Sequence, residues 1–274
     1  MFMKRFFILG CCLFLSYFRL FGQELYPPKL KDGTWHNEKI SLRYHPEGRD
    51  FVIKNGTRRF TRALYGTNSA FRVEAGDLPE FALYMPAMGG NLQFGLINGR
   101  ESKWLIRAEN IIAKYRPGSM LYTIQDPLLG EGTMSLSLLA LSKGDGLILK
   151  IRFEHVKTGA EILWAFGGAS DQKFKRSGDL GVDPESSFYL KPENCKANVF
   201  SINQQRFDLR YGKDKSLTGL FPSSIRLADA LALSSPSALD ESAASQQPLI
   251  TGKIKVENNR DFYVLIQNPA MDKA

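Results

Sequence analysis

Apolar and polar residues alternate along most of the chain with a period of two, the signature of half-buried strands. Ile40–Tyr44, Asp50–Lys54, Phe60–Tyr65, Ala70–Glu74 and Phe81–Tyr84 carry the pattern first. Asn91–Leu96, Trp104–Arg107, Asn110–Tyr115, Met120–Ile124, Thr133–Leu141, Gly146–Phe153 and Glu161–Phe166 continue it. It returns at Val199–Ile202, Arg206–Tyr211, Ser224–Leu227, Gly252–Val256 and Phe262–Ile266. Between these runs, His45-Pro-Glu-Gly-Arg49 and Lys143-Gly-Asp-Gly146 read as turns, and Asn55-Gly56 and Asn98-Gly99 as hairpin tips. Ser235-Pro236 followed by Leu239-Asp-Glu241 reads as an N-cap, an N1 proline and an acidic first turn, so one short helix is expected there.

Roughly 14–18 short strands joined by turns rather than helices predict an all-β protein. The expected fold is a large antiparallel β-sandwich, two sheets packed face to face, with one or two short helices. One interval breaks the rhythm. From Gly167 to Asn198 the chain is polar and glycine-containing, and a connection of that length inside a compact domain is usually either functional or disordered. It is expected to project from one sheet edge, anchored by Asp183-Pro-Glu185.

The N-terminus departs from the pattern in the other direction. Lys4 and Arg5 precede an apolar run of 13 residues, Phe6–Phe18, which is too short to span a bilayer. Residues 1–22 read as a signal peptide cleaved near Gly22–Gln23, leaving 23–274 as a single β-sandwich domain in the periplasm or outside the cell. Ile8-Leu9-Gly10-Cys11 loosely resembles a lipobox, but the apolar run continues well past Cys11.

Loss of Lys4, Arg5 and Arg19 lowers the net charge from +8 to about +5, a value that does not argue for nucleic acid. Cys11 and Cys12 leave with the leader, so Cys195 stands alone and no internal disulfide is expected.

The chain lacks a P-loop, a G-x-S-x-G elbow and an H-E-x-x-H zinc motif. His36, His45 and His155 sit on unrelated segments, so neither metal nor cofactor is expected. Two carboxylate groups stand in loops: Asp179, Asp183 and Glu185 in the long interval, and Asp126 with Glu131. Loop carboxylates can bind calcium or form a glycosidase pair, and they also serve as turn acids and caps. Aromatic residues beside amides, as at Tyr65-Gly-Thr-Asn68 and Trp104, suit sugar stacking, although most aromatics in a sandwich fill its core.

Several segments carry a resemblance: Phe60–Glu80 (FTRALYGTNSAFRVEAGDLPE), Tyr115-Arg-Pro-Gly-Ser-Met120, Trp164-Ala-Phe-Gly-Gly-Ala169 and Asp183-Pro-Glu-Ser-Ser-Phe-Tyr189. Over residues 24–268 the chain resembles the family catalogued as domain of unknown function 4450, large secreted bacterial proteins. Members look like glycoside hydrolases in which an N-terminal supersandwich precedes a helical (α/α)6 barrel bearing the catalytic carboxylates.

The resemblance implies an accessory sandwich, inactive alone. Its partner would be a helical (α/α)6 catalytic domain, in cis or encoded downstream, with a glycan as a second candidate. A free-standing exported glycan-binding or structural sandwich is the alternative. Neither nucleic acid nor, after signal cleavage, a membrane is expected as a partner. No catalytic residue carries over. Tyr65, Asn68, Trp104, Asp179, Asp183 and Glu185 are the candidate carbohydrate or domain-interface residues.

Overall fold

A computed structural model describes residues 42–157, 159–172, 174 and 185–269, with two short strands before them. The signal segment, Asp179 and Asp183 lie outside the described residues. Up to Arg43 the description consists of one ribbon, β1 (Thr34–Trp35) paired with β2 (Glu38–Lys39).

From Tyr44 onward the chain forms a second unit. Its first strands are β3 (His45–Glu47), β4 (Asp50–Lys54), β5 (Arg62–Leu64), β6 (Arg72–Ala75), β7 (Phe81–Tyr84) and β8 (Met88–Asn98). Then come β9 (Glu101–Trp104), β10 (Asn110–Arg116), β11 (Ser119–Gln125), β12 (Thr133–Ala140), β13 (Gly146–Glu154) and β14 (Glu161–Ala169). Helix α1 (Pro192–Cys195) precedes β15 (Val199–Asn203), β16 (Arg206–Tyr211), β17 (Lys215–Leu220) and β18 (Arg226–Asp229). Helix α2 (Pro236–Glu241), β19 (Pro248–Lys255) and β20 (Asp261–Gln267) close the order.

The strands build two antiparallel sheets, as the alternation predicts. One has ten strands in the order β15-β16-β17-β20-β13-β12-β11-β10-β4-β3. The other has eight, β18-β19-β14-β8-β7-β6-β5, with β9 also paired to β8. Among the described residues strand accounts for 51% and helix for 11%, so the fold is the expected all-β sandwich.

One core lies between the sheets. Leu136, Leu138, Leu149, Ile151 and Val264 enter it from the ten-stranded sheet, and Phe81, Phe94, Ile162, Trp164 and Phe166 from the eight-stranded one. Trp164 stacks on Phe221 with ring centroids 3.7 Å apart, and its indole N–H donates to Ser223 Oγ.

The two sheets differ on their outer faces. In the ten-stranded sheet β10, β12, β13 and β16 alternate buried with more exposed positions, as one-sided burial requires. In the eight-stranded sheet β8 and β14 are buried on both faces, and β14 reads as a continuous apolar run. A cover of short helices explains this. Leu190, Cys195, Ala230 and Leu239 pack on Ile97, Trp104, Leu163, Ala165 and Leu249.

Two expectations are corrected. Asn55-Gly56 does not tip a hairpin, because the chain leaves the ten-stranded sheet there and crosses to the other layer. Asn55 sits at φ +51°; its N–H donates to the Ile111 carbonyl and its Oδ1 accepts from Ile111 N–H, extending the β4–β10 ladder. The interval after β14 also differs. β14 itself runs to Ala169, and Glu185–Asn198 lies against the eight-stranded sheet, with Phe188, Cys195 and Asn198 buried.

Candidate functional site

The outer face of the eight-stranded sheet holds a polar cluster built around a fully buried carboxylate. β8 turns Asn91 and Gln93 to this face while Leu92 and Phe94 enter the core. Glu80, just before β7, is fully buried beside them. Its carboxylate receives Asn91 Nδ2 at 2.7 Å and Gln93 Nε2 at 3.3 Å, and Arg59 holds it in an ion pair. Asn91 Nδ2 also donates to the Phe188 carbonyl at 2.8 Å.

Arg59 connects this cluster to the long interval. Its guanidinium lies 3.8 Å from the Tyr189 ring centroid, and its backbone N–H donates to Glu185 Oε2 at 3.0 Å. Arg58 adds a 3.7 Å ion pair to Glu185. Phe60 and Phe174 pack against Phe188, so aromatic contacts close over the polar group.

Burial raises the pKa of Glu80, because desolvation penalises the charged form more than Arg59, Asn91 and Gln93 favour it. A carboxylate this enclosed and fully bonded fixes Glu185–Tyr189 to the sheet. It offers no open oxygen to a substrate.

The other carboxylate group also serves structure. Asp126 Oδ1 caps the turn at Leu128 N–H (3.1 Å), and Oδ2 accepts from Lys103 Nζ (2.8 Å) and Glu109 N–H (3.2 Å). Asp126 and Glu131 line a depression of about 280 Å³ together with Glu109, Asn110 and Gln125. With both its oxygens committed, Asp126 is unsuited to act as an acid or base.

The sequence-derived candidates are not gathered in one place. Glu185 joins the buried cluster through Arg58 and Arg59. Tyr65 is 59% exposed, and Asn68 is exposed on the same loop. Trp104 is only 8% exposed; its indole N–H donates to the Leu233 carbonyl at 2.9 Å, so its ring belongs to the packing under α2. Cys195 is fully buried and its thiol pKa is pushed up to about 12, chiefly by desolvation.

Glu80, Arg59, Asn91 and Gln93 escaped the sequence reading. Their only trace is a pair of amides two residues apart on an otherwise apolar strand, and a glutamate directly before Phe81-Ala-Leu.

Among the described residues no group of three or more His, Cys, Asp or Glu could hold a metal ion. Nor is any helix long and apolar enough to cross a membrane. Fold and cluster together define a two-sheet β-sandwich protein whose buried charges hold its own layers in place. The chain belongs to the family described as domain of unknown function (DUF4450), which matches residues 85–274. Three of the four segments that carry the resemblance fall inside that match, and Phe60–Glu80 precedes it. No curated protein matches the chain.

Proposed function

We propose that this chain is an accessory β-sandwich domain of an exported, glycoside-hydrolase-like protein, packing against a helical (α/α)6 catalytic domain and inactive without it. The observation that carries this reading is a row of aliphatic side chains on the outer face of the ten-stranded sheet. Leu139, Ile148, Leu265 and Leu220 stand opposite one another in register on β12, β13, β20 and β17. Leu139 is 44% and Leu220 49% exposed. Four aliphatics aligned across adjacent strands make an apolar patch of the sort that marks a protein contact.

The test is co-expression with a helical domain encoded in cis or downstream. The pair should copurify, and Leu139→Asp with Leu220→Asp should abolish copurification while leaving the sandwich folded. The purified chain alone should turn over no member of an aryl-glycoside and polysaccharide panel. Copurification unaffected by the double substitution, or hydrolysis by the chain alone, removes the reading. Export is part of the proposal, and intact-mass measurement of secreted protein should place its N-terminus within about three residues of Gln23.

The exposure of Tyr65 beside Asn68 favours a second reading, a free-standing glycan-binding sandwich. Retarded migration in glycan-containing gels, lost in Tyr65→Ala, would support it over the first.

A further inference from the structure

The four terminal strands of the two sheets are not equally protected. An outermost strand offers a row of unpaired N–H and C=O groups, and proteins blunt such edges with short length, charge or proline. β3 has three residues and contains Pro46 and Glu47. β5 also has three and starts with Arg62. β18 begins with Arg226 and ends with Asp229. β15 reads Val-Phe-Ser-Ile-Asn, five residues with neither charge nor proline, and Val199 is 55% exposed.

The register fixes which groups face outward. Asn203 pairs with Arg206 around the two-residue turn Gln204–Gln205, with Gln204 at φ +52°. In an antiparallel ladder hydrogen-bonded and non-bonded pairs alternate, and a two-residue turn closes on a bonded pair. Asn203, Ser201 and Val199 therefore bond inward to Arg206, Asp208 and Arg210. The N–H and C=O of Phe200 and Ile202 point to the open side, and no backbone group of another described segment meets them.

We propose that β15 is a homodimerisation edge, pairing antiparallel with β15 of a second copy about a two-fold axis at Ser201. In that register Phe200 and Ile202 of one copy exchange hydrogen bonds with Ile202 and Phe200 of the other, four bonds by symmetry. The pairing sets an aromatic side chain against a β-branched one twice, a favourable cross-strand combination. It also extends the core, because Phe200 and Ile202 already pack against its rim and Phe200 lies 6.0 Å from Phe207 between ring centroids. No charges meet. Asp208 and its symmetry mate stand three strand spacings apart, about 14 Å, beyond a Debye length of about 10 Å at 0.1 M salt. A second copy is thus the occupant that this uncharged, self-complementary edge accommodates.

Sedimentation of the full chain over a concentration series should show the mass rise from monomer to dimer. Ser201→Lys sets two like charges across the axis and should hold the chain at monomer mass. Ile202→Pro removes an outward N–H without touching the ladder to β16, and should do the same. Ser201→Cys, at a non-bonded pair with Cα atoms about 4.5 Å apart, should form a disulfide mapped to residue 201 under mild oxidation. If Ile202→Pro fails to fold, Ser201→Lys on the exposed face decides. Monomer mass up to about 1 mM, a dimer that survives Ser201→Lys, or no cross-link at 201 overturns the proposal. A chain that stays monomeric yet takes up an extended peptide at this edge overturns it equally.

Discussion

Glu80 is fully buried and Arg59 partly so, and the worth of such a pair depends on which half is removed. Losing one partner strands the other, and an uncompensated buried charge costs about 3–5 kcal/mol. Arg59→Ala should therefore lower stability by about that much in urea denaturation. The pH dependence has a definite sign. The folded pKa of Glu80 lies above its unfolded value, so the folded state binds the proton more tightly. Its contribution is fully present below about pH 4.3, the ordinary glutamate value, and fades as pH rises through the raised value. Wild-type protein should accordingly lose stability relative to Glu80→Gln as pH rises above about 4.3. A gain would mean that attraction to Arg59 outweighs burial. The thiol of Cys195 gives a simpler test. With its pKa pushed up to about 12 and no exposed surface, it should resist alkylation at pH 8 in the native protein and react once unfolded, as peptide mapping at Cys195 would show.

At the scale of elements, two identical dipeptides have different fates. Asn98-Gly99 closes the β8–β9 hairpin with Gly99 at φ +61°, as its residues predict. In Asn55-Gly56 it is the asparagine that takes the left-handed backbone, and the chain changes sheets there. The dipeptide permits a positive φ; it fixes neither which residue adopts it nor which strand comes next. Asn55→Ala should cost about 1–2 kcal/mol, from the positive φ and the lost bond to Ile111. Helix α2 was legible because its signal is wholly local. Ser235 Oγ accepts from Ala238 N–H at 3.1 Å and Pro236 occupies the first turn, but Asp240 and Glu241 end the helix and do not make its first turn acidic as expected. Ser235→Ala should cost about 1 kcal/mol and Ser235→Gly only a few tenths. The second half of the long interval was illegible for the opposite reason. Glu185 meets Arg58 and Arg59, the Phe188 carbonyl meets Asn91 on β8, and Asn198 meets the Ala169 backbone on β14, matches that exist only after folding.

For the whole molecule, alternation carried the fold class because one-sided burial imposes it on the ten-stranded sheet. The eight-stranded sheet, buried on both faces, lost that signal in β8 and β14, and its cover of short helices had no period to announce it. The candidate site was legible only at Glu185, since the burial that makes Glu80 distinctive is a property of the assembled layers. Strand β20 adds a constraint of its own. It lies between β13 and β17 in the middle of the ten-stranded sheet, pairing with both. A chain cut before Asp261 leaves two central ladders open, and it should show neither a cooperative unfolding transition nor protection from protease. During synthesis β13 must wait for a neighbour more than a hundred residues downstream, roughly 5–20 s at about 5–20 residues per second. Through that delay the nascent polypeptide exposes strands of its future core, the kind of surface that holding chaperones bind. On the export proposed above, the same delay would keep it loose enough to thread through a translocation pore.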